Sequence, residues 1–311
     1  LSYDVYSFGF LTDKVYVGEK DESKRICRFC KGTGEERFKK TSHALQEGLG
    51  NHLLFAYEEC DDCNQYFSNS VETPLFRFLE TSRNLSQVRG KRSAIHNQEG
   101  LNFHIHPDNI TKQSVVYVKQ EHIYNDEYQG KLTGKILLYN NGSITYQGIY
   151  KALVKFAVDM IPSDKINHFA RTGEWVHGDF DSDSLPSFIY GEQDTFFFEQ
   201  PVLDLFFRNE TSPVFSPYCT AVLYIFDSIF IYILPFSDVD TDLSLSAIQI
   251  RTHLERFKKH EYIHVPEWVE YDSNDISERT AHYKIPVLGI PGKYSVEYRP
   301  SSDPIFEIKR R

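Results

Sequence analysis

Four cysteines occur as two Cys-x-x-Cys pairs, Cys27-Arg-Phe-Cys30 and Cys60-Asp-Asp-Cys63. Each pair can present two thiolates from one tight turn, and two such pairs complete the tetrahedral ligand set that zinc prefers. A site with four cysteine ligands has no open coordination position, so the sequence predicts a structural zinc ion rather than a catalytic one. Any fold of this chain therefore has to bring the two pairs together.

The composition is typical of a globular protein from a reducing compartment. The chain has 311 residues, of which 41% are hydrophobic and 15% aromatic, and this length allows two domains with a sizeable core. The fifth cysteine, Cys219, stands in an apolar stretch and is interpreted as a buried core residue. No apolar run approaches the roughly 20 residues needed to cross a bilayer, and we expect no membrane association.

The net charge of -10 argues against broad nucleic-acid binding, but the charge is unevenly distributed. Residues 1–100 contain 14 basic and 15 acidic residues, and they include two basic clusters at 20–40 and 77–92. Contact with phosphate needs local positive potential rather than a positive total. A solvated surface of mixed charge is the alternative interpretation. The clusters contain Lys20, Lys24, Arg25, Arg28, Lys31, Arg37, Lys39, Lys40, Arg77, Arg83, Arg89, Lys91 and Arg92.

The hydrophobic pattern predicts an α+β protein. Strands are predicted at 38–45 and 53–57, followed by a helix that Asn64 opens and Pro74 interrupts. A boundary near residue 110 divides the chain into 1–110 and 111–311. In the second part, Asn140-Asn141-Gly142 predicts a hairpin turn, and apolar residues at helical spacing predict a strong helix over 149–160.

The order of elements around the cysteines is cysteine pair, strand, turn, strand, cysteine pair, helix. A hairpin that carries His43, held by zinc against a helix whose first turn presents Asn64, matches the ββα-metal arrangement. In that arrangement the histidine activates water and the helix residue binds a divalent ion. Taken singly, a strand histidine is more often an ordinary side chain, and an asparagine at a helix start is more often an N-cap.

Residues 27–79 resemble the HNH endonuclease family. The resemblance rests on the two cysteine pairs, on the segment Ser42-His43-Ala-Leu-Gln-Glu-Gly-Leu-Gly-Asn51, and on Glu59-Cys-Asp-Asp-Cys-Asn64. It implies that His43 is the general base and that Asn51 orients it. It also implies that Asn64 is a ligand of a catalytic Mg²⁺ or Mn²⁺, and that the chain begins with a zinc-stapled nuclease domain followed by a larger α+β domain.

Ser42 departs from this pattern, because many family members place an acidic metal ligand directly before the histidine. A hydroxyl is a weak ligand for a hard cation, which prefers carboxylate oxygens. Either the ion depends more on phosphate and water, or Glu47, His52 or Glu72 contributes. Glu72 lies two helical turns beyond Asn64 and can face the same side of a helix, so it is a candidate second ligand. An ordinary exposed glutamate is the alternative.

The expected activity is hydrolysis of nucleic-acid phosphodiester bonds, with double-stranded DNA as the expected partner. Arg28, Lys39, Lys40 and Arg77 are the candidate phosphate contacts. Residues 111–311 carry no recognisable catalytic motif. The group of Glu174, His177, Asp179, Asp181 and Asp183 is interpreted as an exposed acidic loop rather than a metal site.

The second part is expected to recognise DNA, to sense a small-molecule or nucleotide activator, or to form a homo-oligomer. HNH nucleases joined to such domains are common in bacterial restriction and antiphage systems, and this analogy predicts a protein of the bacterial cytoplasm. The rival hypothesis is a non-catalytic zinc-ribbon module that binds nucleic acid or protein. The serine at position 42 and the negative net charge of the chain favour that rival hypothesis.

Overall fold

The structure, a computed structural model, describes residues 3–86, 88, 98–100, 103–108, 113–119, 123–128, 131–193, 197–213, 215–240, 245–258, 263–286, 294–299 and 305–310. These residues form strands β1 to β17 and helices α1 to α6. In chain order they are β1 (Tyr3–Phe8), β2 (Val15–Val17), β3 (Ser42–His43), β4 (Leu54–Ala56), α1 (Asp61–Asn69), α2 (Thr73–Phe78), α3 (Glu80–Leu85), β5 (Gln98–Glu99), β6 (Phe103–Asp108), β7 (Gln113–Lys119), β8 (Ile123–Tyr128), β9 (Lys131–Ile144), α4 (Tyr146–Met160), α5 (Ala170–His177), β10 (Phe188–Glu192), β11 (Phe198–Arg208), β12 (Cys219–Phe226), β13 (Ser228–Ile233), α6 (Ala247–Leu254), β14 (Trp268–Tyr271), β15 (Arg279–Pro286), β16 (Tyr294–Arg299) and β17 (Ile305–Arg310).

The largest sheet is antiparallel and has the strand order β1-β11-β12-β13-β10-β14. Its central strands β12 and β13 are buried along their whole length, and alternate residues of a strand point to opposite faces. One face packs in a cluster with α4, and the other packs in a cluster with α6. The residues of β12 and β13 on the α4 face are Cys219, Ala221, Leu223, Ile225, Phe230 and Tyr232.

Helix α4 is the central helix of the molecule. Eleven of its fifteen residues are buried, more than one amphipathic face provides, so the helix is covered on several sides. Tyr150 donates a hydrogen bond to the carbonyl of Ile233, and Tyr232 donates one to the carbonyl of Leu153. These bonds attach α4 to β13.

A small three-stranded sheet, ordered β2-β4-β3, carries the cysteine-rich segment. β3 and β4 are antiparallel and β2 is parallel to β4. The two predicted strands are confirmed in shortened form. The predicted helix is also present, but α1 begins at Asp61, inside the second cysteine pair, rather than at Asn64. The predicted interruption near Pro74 is confirmed, because α1 ends at Asn69 and the proline lies in the first turn of α2.

The predicted hairpin turn at Asn140-Asn141-Gly142 is wrong, since β9 continues through these residues. They lie where the pairing of β9 with β15 shifts register. Asn140 is buried, and its amide nitrogen donates to the carbonyl of Arg77 while its amide oxygen accepts from Thr81. This contact attaches the irregular part of β9, where Gly142 has a φ of 83°, to α2 and α3.

The cysteine-rich segment and the six-stranded sheet share one hydrophobic cluster. Cys27, Phe29 and Phe67 belong to the same buried cluster as Leu153 and Leu223. β1 of the first part pairs with β11 of the second. The division into 1–110 and 111–311 stays a prediction, and the structure shows extensive packing across it. The two further sheets have the orders β16-β17-β7-β6-β5 and β15-β9-β8.

Candidate functional site

The four cysteines of the two pairs converge. Their sulfur atoms all lie within 4.8 Å of one another, with 3.7 Å between Cys27 and Cys63 and 3.6 Å between Cys30 and Cys60. Sulfurs bound at about 2.3 Å around one tetrahedral zinc ion are about 3.8 Å apart. All four are free thiols, so the cluster has the geometry of a four-cysteine zinc site.

Local turns place these thiols. In the first pair, the amide of Cys27 bonds the carbonyl of Gly32, and Lys31 adopts a left-handed conformation with φ of 59°. In the second pair, Cys60 is the N-cap of α1 and Cys63 lies in its first turn. The guanidinium of Arg37 lies 3.6 Å from the Cys30 sulfur and 3.8 Å from the Cys60 sulfur. Its charge offsets the negative charge of a tetrathiolate zinc centre.

His43 lies on β3 opposite Phe55 of β4. The two ring centroids are 4.5 Å apart, and about a quarter of the His43 side chain (26%) is exposed. Because side chains alternate along a strand, Ser42 points inward, where it is buried and donates to the carbonyl of Glu59. Ser42 is therefore not placed to replace the usual acidic ligand.

The loop between β3 and β4 brings a carboxylate to His43. One oxygen of Glu47 lies 3.8 Å from Nε2 of His43, and the other lies 3.8 Å from Nδ1 of His52. Of the three residues predicted as possible substitutes for the acidic ligand, Glu47 and His52 are thus in the vicinity of His43.

Asn51 closes the same loop. Its amide nitrogen donates to the carbonyls of Leu45 and Leu54, and its amide oxygen accepts from the Leu54 amide, all at 2.8–2.9 Å. The side chain is buried. Asn51 therefore holds the backbone on both sides of the loop.

The hairpin lies along α1, where Asn64 is partly buried in the first turn. At one end, the amide of Lys40 donates to the carboxylate of Asp61, at 3.2 Å. At the other end, Gln46 donates to the carbonyl of Ser68, at 3.3 Å. These two contacts bracket His43 on the hairpin and Asn64 on the helix.

Two predicted site residues are corrected by their burial. Glu72 is not available to a catalytic ion, because it is buried and lies 2.9 Å from the ammonium of Lys155. Arg28 is not available to phosphate, because its guanidinium pairs with Glu58 and donates to three carbonyls at the end of α4. Those carbonyls belong to Val158, Asp159 and Ile161.

The other predicted phosphate contacts differ in exposure. Lys39 and Lys40 are exposed just before β3. Arg77 is partly buried and donates to the carbonyl of Ser143, at 2.9 Å. Its guanidinium therefore contacts β9 and is less accessible to phosphate than the two lysines. Arg89, Lys91 and Arg92 of the second basic cluster lie outside the described residues.

The acidic segment after α5 does not form a further metal cluster. His177 bonds Asp179, at 2.7 Å. Among the described residues, the cysteine tetrad is the one group of three or more His, Cys, Asp or Glu side chains whose ligand atoms converge. Cys219 is fully buried, as predicted.

A cavity of about 370 Å³ opens beside the Asn51 loop. Most of its lining is aromatic or aliphatic, and it lies between the segment after β1, the lead-in to β4, and β11. The lining includes Phe8, Phe10, Leu53, Phe197, Phe198 and Val202. This cavity is a place to test the predicted small-molecule activator, which stays a prediction.

Sequence reasoning missed a buried charge network around Lys155 and Glu59. The two side chains are 2.8 Å apart and almost completely inaccessible. A signal was present in the sequence, since Lys155 interrupts the apolar surface of the predicted helix between Val154 and Phe156.

Comparison with known proteins gives no relative: no family model, curated protein or solved structure matches the chain. Within the described residues, no helix combines the length and apolarity needed to cross a membrane.

Proposed function

We propose that this protein is a metal-dependent, HNH-type endonuclease that hydrolyses phosphodiester bonds, with DNA as the expected substrate. One observation carries the proposal: a short hairpin presents a partly exposed His43 and lies along α1. The cysteine tetrad is at the start of α1, and Asn51 closes the loop of the hairpin. This arrangement resembles the ββα-metal arrangement, in which a histidine activates water beside a scissile phosphate.

His43 is proposed to take a proton from the attacking water. The ordinary pKa of histidine, about 6.5, lets a neutral imidazole act as a base near neutral pH. Contact with the Phe55 ring restricts the imidazole, and the carboxylate of Glu47 on its Nε2 side stabilises the imidazolium that forms. Glu47 thus places a carboxylate next to His43, whereas Ser42, the residue before His43, points inward.

Asn64 and Glu47 are the residues that would hold a divalent cation. Mg²⁺ or Mn²⁺ bound there would neutralise charge on the phosphate and on the departing oxygen. Because the described residues contain no second converging group of three charged or thiol ligands, substrate phosphate and water would supply most of the coordination shell.

Substrate contact is proposed at the exposed lysines beside the hairpin. Lys39 and Lys40 are exposed and lie three to four residues before His43 in the chain. Contacts of this kind position a phosphate backbone and confer no sequence specificity.

The test is nicking of supercoiled plasmid by the full chain in Mg²⁺ or Mn²⁺, comparing wild type with His43→Ala. We expect the substitution to reduce the cleavage rate by about 10²–10⁴-fold while zinc content stays at one ion per chain. His168→Ala is the matched control, because His168 is an exposed histidine paired with Asp238, and it should cut like wild type.

Two results would contradict the proposal in different ways. Undiminished cleavage by His43→Ala would remove His43 as the base. Failure of wild type to cut plasmid, linear DNA or RNA with either metal would favour the non-catalytic zinc-ribbon module instead.

A further inference from the structure

Lys155, in the middle of α4, has a side chain that is only 1% exposed. Its ammonium lies 2.8 Å from Glu59, 2.9 Å from Glu72 and 3.0 Å from Asp159. It also donates to the carbonyl oxygen of Ala44, at 3.1 Å. Four acceptors on four different parts of the chain therefore meet one cation.

Two of these acceptors lie in the ββα unit, the segment 42–69 that contains β3, β4 and α1, and a third lies just beyond it. Ala44 directly follows His43, Glu59 directly precedes Cys60, and Glu72 follows the end of α1. The same ammonium therefore contacts the strand that carries the histidine, the start of the second cysteine pair and the chain beyond the helix. Asp159 lies one turn further along α4 itself.

The electrostatics keep this group charged. Burial opposes the charged form, but the carboxylates of Asp159, Glu59 and Glu72 raise the pKa of Lys155. Burial and the neighbouring Asp159 raise the pKa of Glu59, against the opposing effect of Lys155.

A buried charge of this kind is a poor way to gain stability, since apolar residues of similar size often stabilise at least as well. Its geometric effect is more specific. An ammonium with several fixed acceptors restricts the position of each one, and here one acceptor is the backbone next to the candidate general base. Arg28 makes a second connection, from the first cysteine pair to the last turn of α4.

We propose that Lys155 is a positioning residue for His43, holding the histidine strand against α1 from the opposite half of the chain. The importance of Lys155 for catalysis rests on the proposed function of His43. The contact between Lys155 and the histidine strand does not depend on that function. α4 is then the element through which residues beyond 111 support the candidate nuclease site.

The test compares full-length wild type with Lys155→Met/Glu72→Gln. The double change removes one positive and one negative charge, so the net charge of the buried network is kept. Lys151→Met is the matched control, because Lys151 lies one turn earlier on α4, over Trp175. Measurements are zinc content, the thermal midpoint, the imidazole ¹H–¹⁵N NMR signals of His43, and kcat and KM for cleavage.

We expect the double variant to keep its zinc and to lose about 10²-fold in kcat, the loss expected for a displacement of about 1 Å, with little change in KM. The His43 imidazole signals should shift or broaden. Lys151→Met should leave both the signals and kcat unchanged. A folded, zinc-loaded double variant with unchanged signals and unchanged kcat would overturn the proposal.

If the double variant does not fold, Glu72→Met alone gives the decision, since it removes the carboxylate that accepts from Lys155 and keeps the ammonium. A shift of the His43 signals with a smaller fall in kcat supports positioning, and unchanged values for both overturn it. If wild type does not cleave, the proposed function fails, but the NMR comparison still decides whether Lys155 positions His43.

Discussion

The carboxamide of Asn51 uses both of its donor hydrogens and its acceptor on the backbone of one loop. An amide is suited to this position because it offers donors and an acceptor on one flat group. A carboxylate of the same shape has acceptors only, so it would face the carbonyls of Leu45 and Leu54 without a hydrogen to share.

Asn51→Asp is therefore expected to destabilise the fold by about 2–4 kcal/mol and to reduce kcat by about 10²-fold through displacement of the His43 strand. Asn69→Asp, at the exposed end of α1, is the control and should change neither. Urea unfolding and plasmid cleavage measure the two effects. Wild-type activity in Asn51→Asp would show that the loop does not position the histidine.

Ser42 and Glu47 both lie near His43 in the chain but have different surroundings. Ser42 is on the inward face of β3 and bonds the carbonyl of Glu59, so a carboxylate there would be buried beside another acidic residue. Glu47, on the loop, brings its carboxylate to His43 without entering the core. Negative charge next to His43 is thus supplied by Glu47 and not by position 42.

At the scale of elements, the ββα unit consists of pieces too short to be stable alone. β3 has two residues, β4 has three and α1 has nine, whereas isolated helices below about 12 residues are marginal in water. A zinc ion bound by both cysteine pairs would connect the segment before the hairpin to the start of α1. The local structure should therefore depend on the metal.

Cys60→Ala is expected to abolish stoichiometric zinc binding and to lower the melting temperature by about 10 °C. Cys219→Ala, which removes a buried thiol outside the tetrad, should keep one zinc ion per chain. Zinc content and thermal unfolding monitored by circular dichroism measure these effects. Full zinc content in Cys60→Ala would show that the tetrad is not the binding site.

The local elements near the cysteines were predictable because their signals are local. The spacing within each cysteine pair, the position of Pro74 and the strand–turn–strand pattern are each visible within a few residues of sequence. The turn at Asn140 was mispredicted because its side chain is satisfied by Arg77 and Thr81, which are distant in sequence. For the same reason the burial of Arg28 and Glu72 could not be read from their positions, since their partners lie on α4.

At the scale of the whole molecule, the candidate site is supported from the second half of the chain. Gly50 ends the loop turn with φ of 84°, and a Cβ atom there would lie 2.9 Å from the carbonyl oxygen of Glu199. The loop that holds Glu47 and Asn51 therefore packs closely on β11, just as the hairpin backbone bonds Lys155 of α4.

The stability of the whole fold should depend on pH through His253, which lies on α6 against the large sheet. Its Nε2 atom is 2.7 Å from the hydroxyl of Thr220, and burial, with a smaller contribution from Arg256, lowers its pKa from 6.5 to about 4. The folded protein therefore keeps His253 neutral while the unfolded chain takes up a proton below about pH 6.5.

Because the unfolded state binds more protons in this window, stability should be full above pH 6.5 and fall as the pH decreases toward 4. The shift corresponds to about 3 kcal/mol for this one group. The contribution of Glu59 to stability has the opposite pH dependence, since its raised pKa favours the folded state at low pH. A plot of wild-type stability against pH would therefore combine the two effects.

Comparison of wild type with His253→Gln separates them. Glutamine can retain a hydrogen bond to Thr220 but does not titrate, so the difference in unfolding free energy between the two proteins should change by about 3 kcal/mol between pH 7 and pH 4. His168→Gln, at an exposed histidine, should parallel wild type. Urea unfolding across this range provides the measurement, and parallel curves for wild type and His253→Gln would show that His253 accepts its proton equally well in the folded protein.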